Sequence, residues 1–290
     1  MRRSRHGRRQ QGRKTINRRT FLKRALYSGV GTCAVLGAYP FVEAGRIRVT
    51  RRTIPVANLP PQFGGTTVGL LSDIHHGLWV GLDFVRDIVR QANSLGADVF
   101  ALTGDYVYRG AGYIDPCIGE LSKLRAEHGV YAVLGNHDYW DGASRTRAAL
   151  KRGGIREIKN TGVWLERGGA RLRLCGVDDL WEGRQDLDAA LGDCSGRETA
   201  VLLSHNPDYV EDIRDQRVGL VLSGHTHGGQ VNVPFFGPPL VPSRYGRKYA
   251  SGLVKTPHTQ VYVSRGLGTI SIPVRLNCRP EIVMVELAAA

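Results

Sequence analysis

The chain has 290 residues, of which 42% are hydrophobic, so it can bury a full core and form one large domain or two small ones. Residues 1–42 hold eleven Lys and Arg residues and no acid, so of the formal net charge of +14 only +3 belongs to residues 43–290. This modest charge argues against nucleic acid as a partner. The five cysteines include no C-x-x-C pair, which argues against a zinc finger or a disulfide framework.

Residues 1–44 are predicted to be a basic leader. The segment NRRTFLK at 17–23 resembles the twin-arginine export signal, although Asn17 stands where that signal usually has Ser or Thr. Residues 25–42 carry no charge, as expected for the apolar part of a signal or for a membrane span. An ordinary buried helix is the alternative, but the unpaired positive charges before this segment disfavour it. The resemblance implies the twin-arginine export machinery as a partner and a location beyond the cytoplasmic membrane.

The small residues around Ala44 permit cleavage after that residue, and retention of the segment as a membrane anchor is equally compatible with the sequence. Residues 45–65 combine alternating apolar positions with Pro and Gly pairs, which predicts an edge strand and a linker. Residues 66–290 are then predicted to form the functional domain.

An α/β pattern begins at residue 66. Apolar runs predict strands, and apolar residues at helical spacing near 84–95 and 114–124 predict the helices between them; the strand runs are 67–71, 98–102 and 130–134. This alternation indicates βαβ crossovers with parallel pairing. From residue 155 the pattern changes to short strands with few helices, the last at 282–285, which predicts a second, more antiparallel sheet.

Five of the apolar runs are followed directly by Asp, Asn or His. These residues are Asp73 with His75, Asp105, Asn136, His205, and His225 with His227. Ligands in open α/β sheets bind outside the carboxyl ends of the strands, so these side chains are expected to meet. A mixed Asp, His and Asn set suits two divalent cations without choosing sharply between Mn, Fe and Zn. The sequence therefore predicts a metal site with two ions.

The motifs resemble those of one known family. Asp73-x-His75, Gly104-Asp105, Gly135-Asn136-His137-Asp138, His205 and Gly224-His225-x-His227 are similar, in order, to the five motifs of the calcineurin-like metallophosphoesterases. The resemblance covers roughly residues 66–288 and implies a four-layer αββα sandwich of two mixed β-sheets. It also implies that one metal is held by Asp73, His75, Asp105 and His227, and the other by Asp105, Asn136, His205 and His225, with Asp105 as the bridge.

The same resemblance assigns roles next to the metals. His137 would protonate the leaving oxygen or steady the phosphoryl charge, and Asp138 would orient His137 by a hydrogen bond. The export signal and the segments at 72–76, 228–230 and 265–268 resemble the exported or membrane-associated branch of the family. That branch includes phosphodiesterases of broad range and enzymes of the UDP-2,3-diacylglucosamine pyrophosphatase type.

The predicted function is therefore hydrolysis of a phosphodiester, phosphomonoester or pyrophosphate by metal-bound hydroxide, on a substrate linked to a lipid or to the cell wall. The alternative is a non-enzymatic binding protein of the cell envelope, in which metals only hold loops and the basic, aromatic loop 228–258 grips an acidic polymer. A binding protein has no need of the His137–Asp138 pair, which disfavours this alternative.

Other residues carry weaker expectations. His76 is equally compatible with a contact to a metal ligand and with exposure. Arg275 could meet a phosphate but is expected to be solvated. The pairs at 139–140 and 235–236 are expected to pack in the core or to anchor loops, and Cys175 to be buried.

Overall fold

The computed structural model describes residues 37–290, so most of the predicted leader, including the twin-arginine segment at 17–23, lies outside the described residues. Residues 40–290 form one compact unit, and the description below concerns that unit. Among residues 37–290, no helix combines the length and the apolar character that crossing a membrane requires.

The first sheet has six strands. They are β1 (Arg48–Val56), β2 (Thr67–Leu71), β3 (Val99–Leu102), β4 (Val130–Ala132), β5 (Arg156–Glu157) and β12 (Glu281–Ala289). Their order is β1-β12-β2-β3-β4-β5. All neighbours are parallel except β12 and β2. The strand predicted within the linker is therefore present as β1, at the edge of this sheet.

The second sheet also has six strands. They are β6 (Thr161–Arg167), β7 (Ala170–Gly176), β8 (Ala200–Leu203), β9 (Val218–Ser223), β10 (Gly252–Lys255) and β11 (Gln260–Val263). Their order is β10-β11-β9-β8-β7-β6. The four central strands are parallel to one another, and only the outer strands β6 and β10 pair antiparallel.

Helices cover the outer faces of both sheets. The first sheet packs against α1 (Leu82–Ser94), α2 (Ile114–Leu121) and α3 (Asn136–Arg152), and the second against the short α4 (Leu187–Leu191) and a 3-10 helix at Pro207–Glu211. A third hydrophobic core lies between the two sheets. These four layers are the predicted αββα sandwich.

The period-2 pattern of the strands explains the layers. In β3, Val99 and Ala101 enter the core between the sheets, whereas Phe100 and Leu102 enter the core under the helices. In β8, Val201 and Leu203 likewise face the first sheet. Strands that are apolar on both faces are buried on both sides, so these runs read as continuous hydrophobic segments.

One detail differs from the prediction. The run at 282–285 belongs to the first sheet, where β12 is inserted between β1 and β2, and not to the second. The second sheet is more antiparallel than the first, as predicted, since two of its five strand pairs are antiparallel and only one of five is in the first sheet. The four central strands are parallel because the loops and short helices between them are long enough to carry crossovers.

Candidate metal centre

The predicted site residues converge at one edge of the sandwich. Asp73, Asp105 and Asn136 follow the carboxyl ends of β2, β3 and β4, which are neighbours in the first sheet. His205 and His225 follow β8 and β9, which are neighbours in the second. Parallel strands place their carboxyl ends at the same edge, so both sheets deliver ligand-type side chains to one place.

One group of donors forms around His75 and His227. Their Nε2 atoms are 3.0 Å apart, and His227 Nε2 is 3.4 Å from Asp73 Oδ1. Asp105 Oδ2 lies 3.5 Å from His75 Nε2. All four side chains are buried. This is the set that the resemblance assigned to one metal.

The second group of donors shares Asp105. Its Oδ2 is 3.3 Å from His205 Nε2, which in turn is 3.1 Å from His225 Nδ1. The Nδ1 of His205 lies 2.7 Å from the carbonyl of Thr103, so the ring keeps its Nε2 lone pair for the site. Asn136 is buried, and its Oδ1 has no hydrogen-bond partner among the described residues.

The arrangement of these side chains suits coordination of divalent cations better than hydrogen bonds between the side chains themselves. Two imidazole nitrogens 3.0 Å apart can share only one proton, and His225 Nε2, like Asn136 Oδ1, has no partner within residues 37–290. Buried polar atoms are normally hydrogen-bonded, so these atoms indicate that a further group completes the site. Carboxylate, amide and imidazole donors in this arrangement are ligands for Mn, Fe or Zn.

The electrostatics agree with that fit. Burial lowers the pKa of His75 and of His225 to about 3, so both rings are neutral and free to act as ligands. Burial raises the pKa of Asp73 to about 6. Burial also opposes protonation of His205, yet attraction to Asp105 and a hydrogen bond with it raise the pKa of His205 to about 10. Without a cation, a proton on His205 therefore balances the buried carboxylates, and a metal would take over that role.

The backbone holds most of these ligands in an uncommon conformation. Positive φ angles between 51° and 69° occur at five of the seven ligand-type residues, Asp73, His75, Asp105, His225 and His227. Such a conformation is disfavoured for residues other than glycine, and it persists where surrounding contacts enforce it. The contacts here are hydrogen bonds between the ligand loops, including His75 N to Asp105 O at 3.0 Å.

Two glycines of the motifs are explained by close approach of the backbone. A Cβ at Gly135 would lie 2.3 Å from Asp105 Oδ1, and one at Gly224 would lie 1.8 Å from Ser72 Oγ. No side chain fits at either position without displacing a ligand loop. The glycines in these motifs therefore allow loops from different strands to pack against the ligands.

His137 lies beside the first donor group and is partly buried. Its ring contacts His75 edge-on, with the centroids 4.9 Å apart, and is flanked by Tyr108 and Trp140. Its backbone N–H donates to Asp105 Oδ1 at 2.9 Å. Burial lowers its pKa. His137 thus reaches the space in front of the ligands, as its predicted role requires.

Asp138 does not hydrogen-bond to the His137 ring, so the expectation that it orients that ring was wrong. Its carboxylate is fully buried and accepts from the backbone N–H groups of Asp105, Tyr106 and Gly135 at 2.7, 2.9 and 3.0 Å. As the third residue of α3, Asp138 points back toward the helix N-terminus, where its carboxylate caps the helix by accepting from the backbone N–H of Gly135. It joins the loops after β3 and β4.

Three residues near the site were missed by sequence reasoning. Tyr108 contacts the rings of His75 and His137, the indole of Trp181 lies edge-on to His225 with centroids 4.4 Å apart, and Asp179 is buried close enough to raise the pKa of His205. Asp179 and Trp181 come from the loop between β7 and α4, which carries no motif. No spacing or residue pattern distinguishes these two residues from surface residues of a loop.

The remaining expectations have mixed outcomes. Arg275 is fully buried rather than solvated, and its guanidinium donates to the carbonyls of Gly268 and Cys278, so it is a structural residue. His76 is buried, with Nδ1 2.7 Å from the carbonyl of Val80. Tyr139 packs partly against the helix-side core as expected, but Trp140, Phe235 and Phe236 are exposed. Cys175 is buried, and Cys117, Cys175, Cys194 and Cys278, all within residues 37–290, are free.

An αββα sandwich that brings buried Asp, His and Asn ligands from both sheets to one edge defines a metal-dependent hydrolase. The family model described as calcineurin-like phosphoesterase matches residues 66–229, more than half of the chain. The protein belongs to the calcineurin-like phosphoesterase family, which confirms the family to which the motifs pointed.

The chain is similar to two relatives of nearly the same length and to one solved structure. The chain is 33% identical to the uncharacterized metallophosphoesterase YkuE of Bacillus subtilis (strain 168), over 94% of this chain and 98% of that protein. It is 30% identical to the phosphodiesterase YaeI of Escherichia coli (strain K12), over 94% and 99% of the two chains. The crystal structure of TT1561 of Thermus thermophilus is 14% identical with a TM-score of 0.46, covering 70% of this chain and 90% of that one.

Proposed function

We propose that this protein is a phosphodiesterase that uses two divalent cations, Mn, Fe or Zn. One cation is held by Asp73, His75, Asp105 and His227, and the other by Asp105, Asn136, His205 and His225. The observation that carries the proposal is the meeting of two buried donor groups on the single carboxylate of Asp105. The name of the Escherichia coli relative supports a diester rather than a monoester.

Two cations bound there would balance the charge of a phosphoryl group and activate a water molecule for in-line attack. The protein's own side chains do the rest. The imidazole of His137 moves a proton to the leaving oxygen or steadies the phosphoryl charge. The rings of Tyr108 and Trp140 hold His137 in place, since they contact it from two sides. Asp138 keeps the loops after β3 and β4 together, which maintains the distance between Asp105 and Asn136.

The proposed location is the extracytoplasmic side of the membrane. The NRRTFLK segment and the uncharged stretch at 25–42 support export by the twin-arginine machinery, with the N-terminal segment either cleaved after Ala44 or kept as an anchor. We further propose an envelope phosphoester as substrate, linked to lipid or to the cell wall. The segments at 72–76, 228–230 and 265–268 support placement in the exported branch of the family.

The test uses the purified full chain, stripped of metal and reloaded with Mn, Fe or Zn. We expect metal-dependent cleavage of bis(p-nitrophenyl) phosphate in excess of p-nitrophenyl phosphate. The variant Asp105→Asn should lose this activity and bind less metal, whereas Asp83→Asn, an exposed carboxylate on α1, should match the wild type. A chain that binds two metals but cleaves no phosphoester would contradict the proposal and favour an envelope-binding protein.

The role of His137 has its own test. His137→Ala should lower the rate by about 10²–10⁴-fold, the usual contribution of general acid catalysis, without lowering the metal content measured by mass spectrometry. The matched control is His258→Ala, which removes an exposed histidine. An unchanged rate would remove His137 from the mechanism, and a parallel loss of metal would make it a ligand instead.

A further inference from the structure

An apolar groove opens directly beside the metal centre. It has a volume of about 310 Å³ and is lined by eleven residues, one of which is the ligand His227. The other walls come from the segment after His227 and from the loop before β12, and include Val231, Pro239, Leu240 and Ile272. A volume of this size lies at the lower end of the range for small-molecule sites.

Tyr108 links the groove wall to the reacting side of the site. Ser271, in the groove wall, donates its backbone N–H to the hydroxyl of Tyr108 at 3.2 Å. The ring of Tyr108 in turn contacts His75 and His137. The groove therefore lies close to the donor groups at which a phosphoester would bind.

Two polar side chains in the groove walls, those of Gln230 and Thr226, are hydrogen-bonded within the protein. The amide of Gln230 accepts from the backbone N–H of Ile270 at 2.6 Å and donates to the carbonyl of Ile270 at 3.2 Å. The hydroxyl of Thr226 donates to the carbonyl of Ala250. Because a polar ligand needs hydrogen-bond partners to offset its desolvation, this wall favours an apolar occupant.

The apolar occupant is aliphatic rather than aromatic. The eleven lining residues include no Phe, Tyr or Trp on which a base could stack. Leu240 and Ile272 are large apolar side chains that are 78% and 58% exposed. A flexible hydrocarbon chain lying on both side chains would remove their exposed apolar surface from water.

We propose that the groove binds an alkyl or acyl chain of the substrate, so that the enzyme hydrolyses phosphodiesters of the lipid class. This inference rests on the proposed phosphodiesterase activity and specifies its substrate. The phosphoryl group lies at the donor groups, and the chain lies along Val231, Leu240 and Ile272. Burial of the hydrocarbon makes the enzyme prefer substrates with a long chain, since each fully buried methylene tightens binding by up to about fourfold.

The test uses the metal-loaded full chain and a series of p-nitrophenyl alkyl phosphodiesters with methyl, butyl and octyl groups, below their aggregation limits. We expect kcat/KM to rise by about tenfold or more from methyl to octyl. In Leu240→Gln with Ile272→Gln the gain in kcat/KM from methyl to octyl should be lost. Leu253→Gln, at an exposed leucine on β10, is the control and should keep the full gain.

Binding gives a second readout that does not depend on turnover. Octyl phosphate should bind more tightly than methyl phosphate by calorimetry, with a negative heat-capacity change that the double variant loses. Equal rates and equal affinities along the series would overturn the groove proposal, as would a thymidine ester that outperforms the octyl ester. Absence of turnover for every ester, combined with tighter binding of octyl phosphate, would instead contradict the phosphodiesterase activity and leave the groove supported.

Discussion

At the scale of single residues, the ligand-type side chains could be predicted from the sequence, but the residues that pack against them could not. Six of the seven predicted ligands meet in the two donor groups, and Asn136 is buried just after β4, because residue type and position after a strand decide which side chains reach the edge of the sheets. Asp179 and Trp181 were missed, since one acid and one tryptophan in an ordinary loop do not differ from surface residues until the fold places them against His205 and His225.

The corrected position of Asp138 leads to a prediction. Asp138→Asn should lower both the melting temperature and the metal content, because its amide would turn an N–H group toward backbone donors that now reach a carboxylate oxygen. Each buried donor left without a partner costs about 1–3 kcal/mol. Thermal unfolding and metal analysis would show this loss, whereas His137→Ala should preserve both properties. If Asp138→Asn affected only the rate, its role would be in catalysis after all.

At the scale of elements, β2, β3 and β4 were predicted well because each is a continuous apolar run next to a helix. The strands of the second half were recognised as strands, but their partners were not, since period-2 alternation says which face is buried and nothing about which strand lies alongside. The placement of β12 shows this limit. Its pairing with β1 joins residues more than two hundred positions apart, and no local pattern reports such a contact.

The core between the two sheets provides the prediction at this scale. Leu220 in β9 is fully buried there and supports the strand that leads to His225. Leu220→Ala should lower the free energy of unfolding by about 2–5 kcal/mol, through lost burial and the cavity that remains. Chemical denaturation would measure this change. Leu253→Ala, at a leucine that is 40% exposed on β10, should change it little, and equal effects of the two variants would contradict the assigned layers.

At the scale of the whole molecule, the metal centre connects the two sheets, since its ligands follow strands of both. Removal of the cations should therefore destabilise the entire sandwich and not only the loops. A metal present at about a hundred times its Kd stabilises a protein by about 2.7 kcal/mol, which corresponds to roughly 5–10 °C in a domain of this size. Thermal scans with and without a chelator would show the shift, and readdition of Mn should restore it. Identical melting with and without metal would mean that the donors are preorganised without it.

The insertion of β12 between β1 and β2 also determines when the protein can fold during its synthesis. The ribosome makes β1 first and β12 last, yet β12 is the only strand with which β1 pairs within residues 37–290. Glu281, at the start of β12, also accepts hydrogen bonds from Thr50 and from Arg265, next to the loop that packs on Asp73. A nascent chain cannot complete the sheet that carries Asp73, Asp105 and Asn136 before Glu281–Ala289 has left the ribosome. Completion of the first sheet, and of the metal centre at its edge, therefore follows synthesis of Glu281–Ala289.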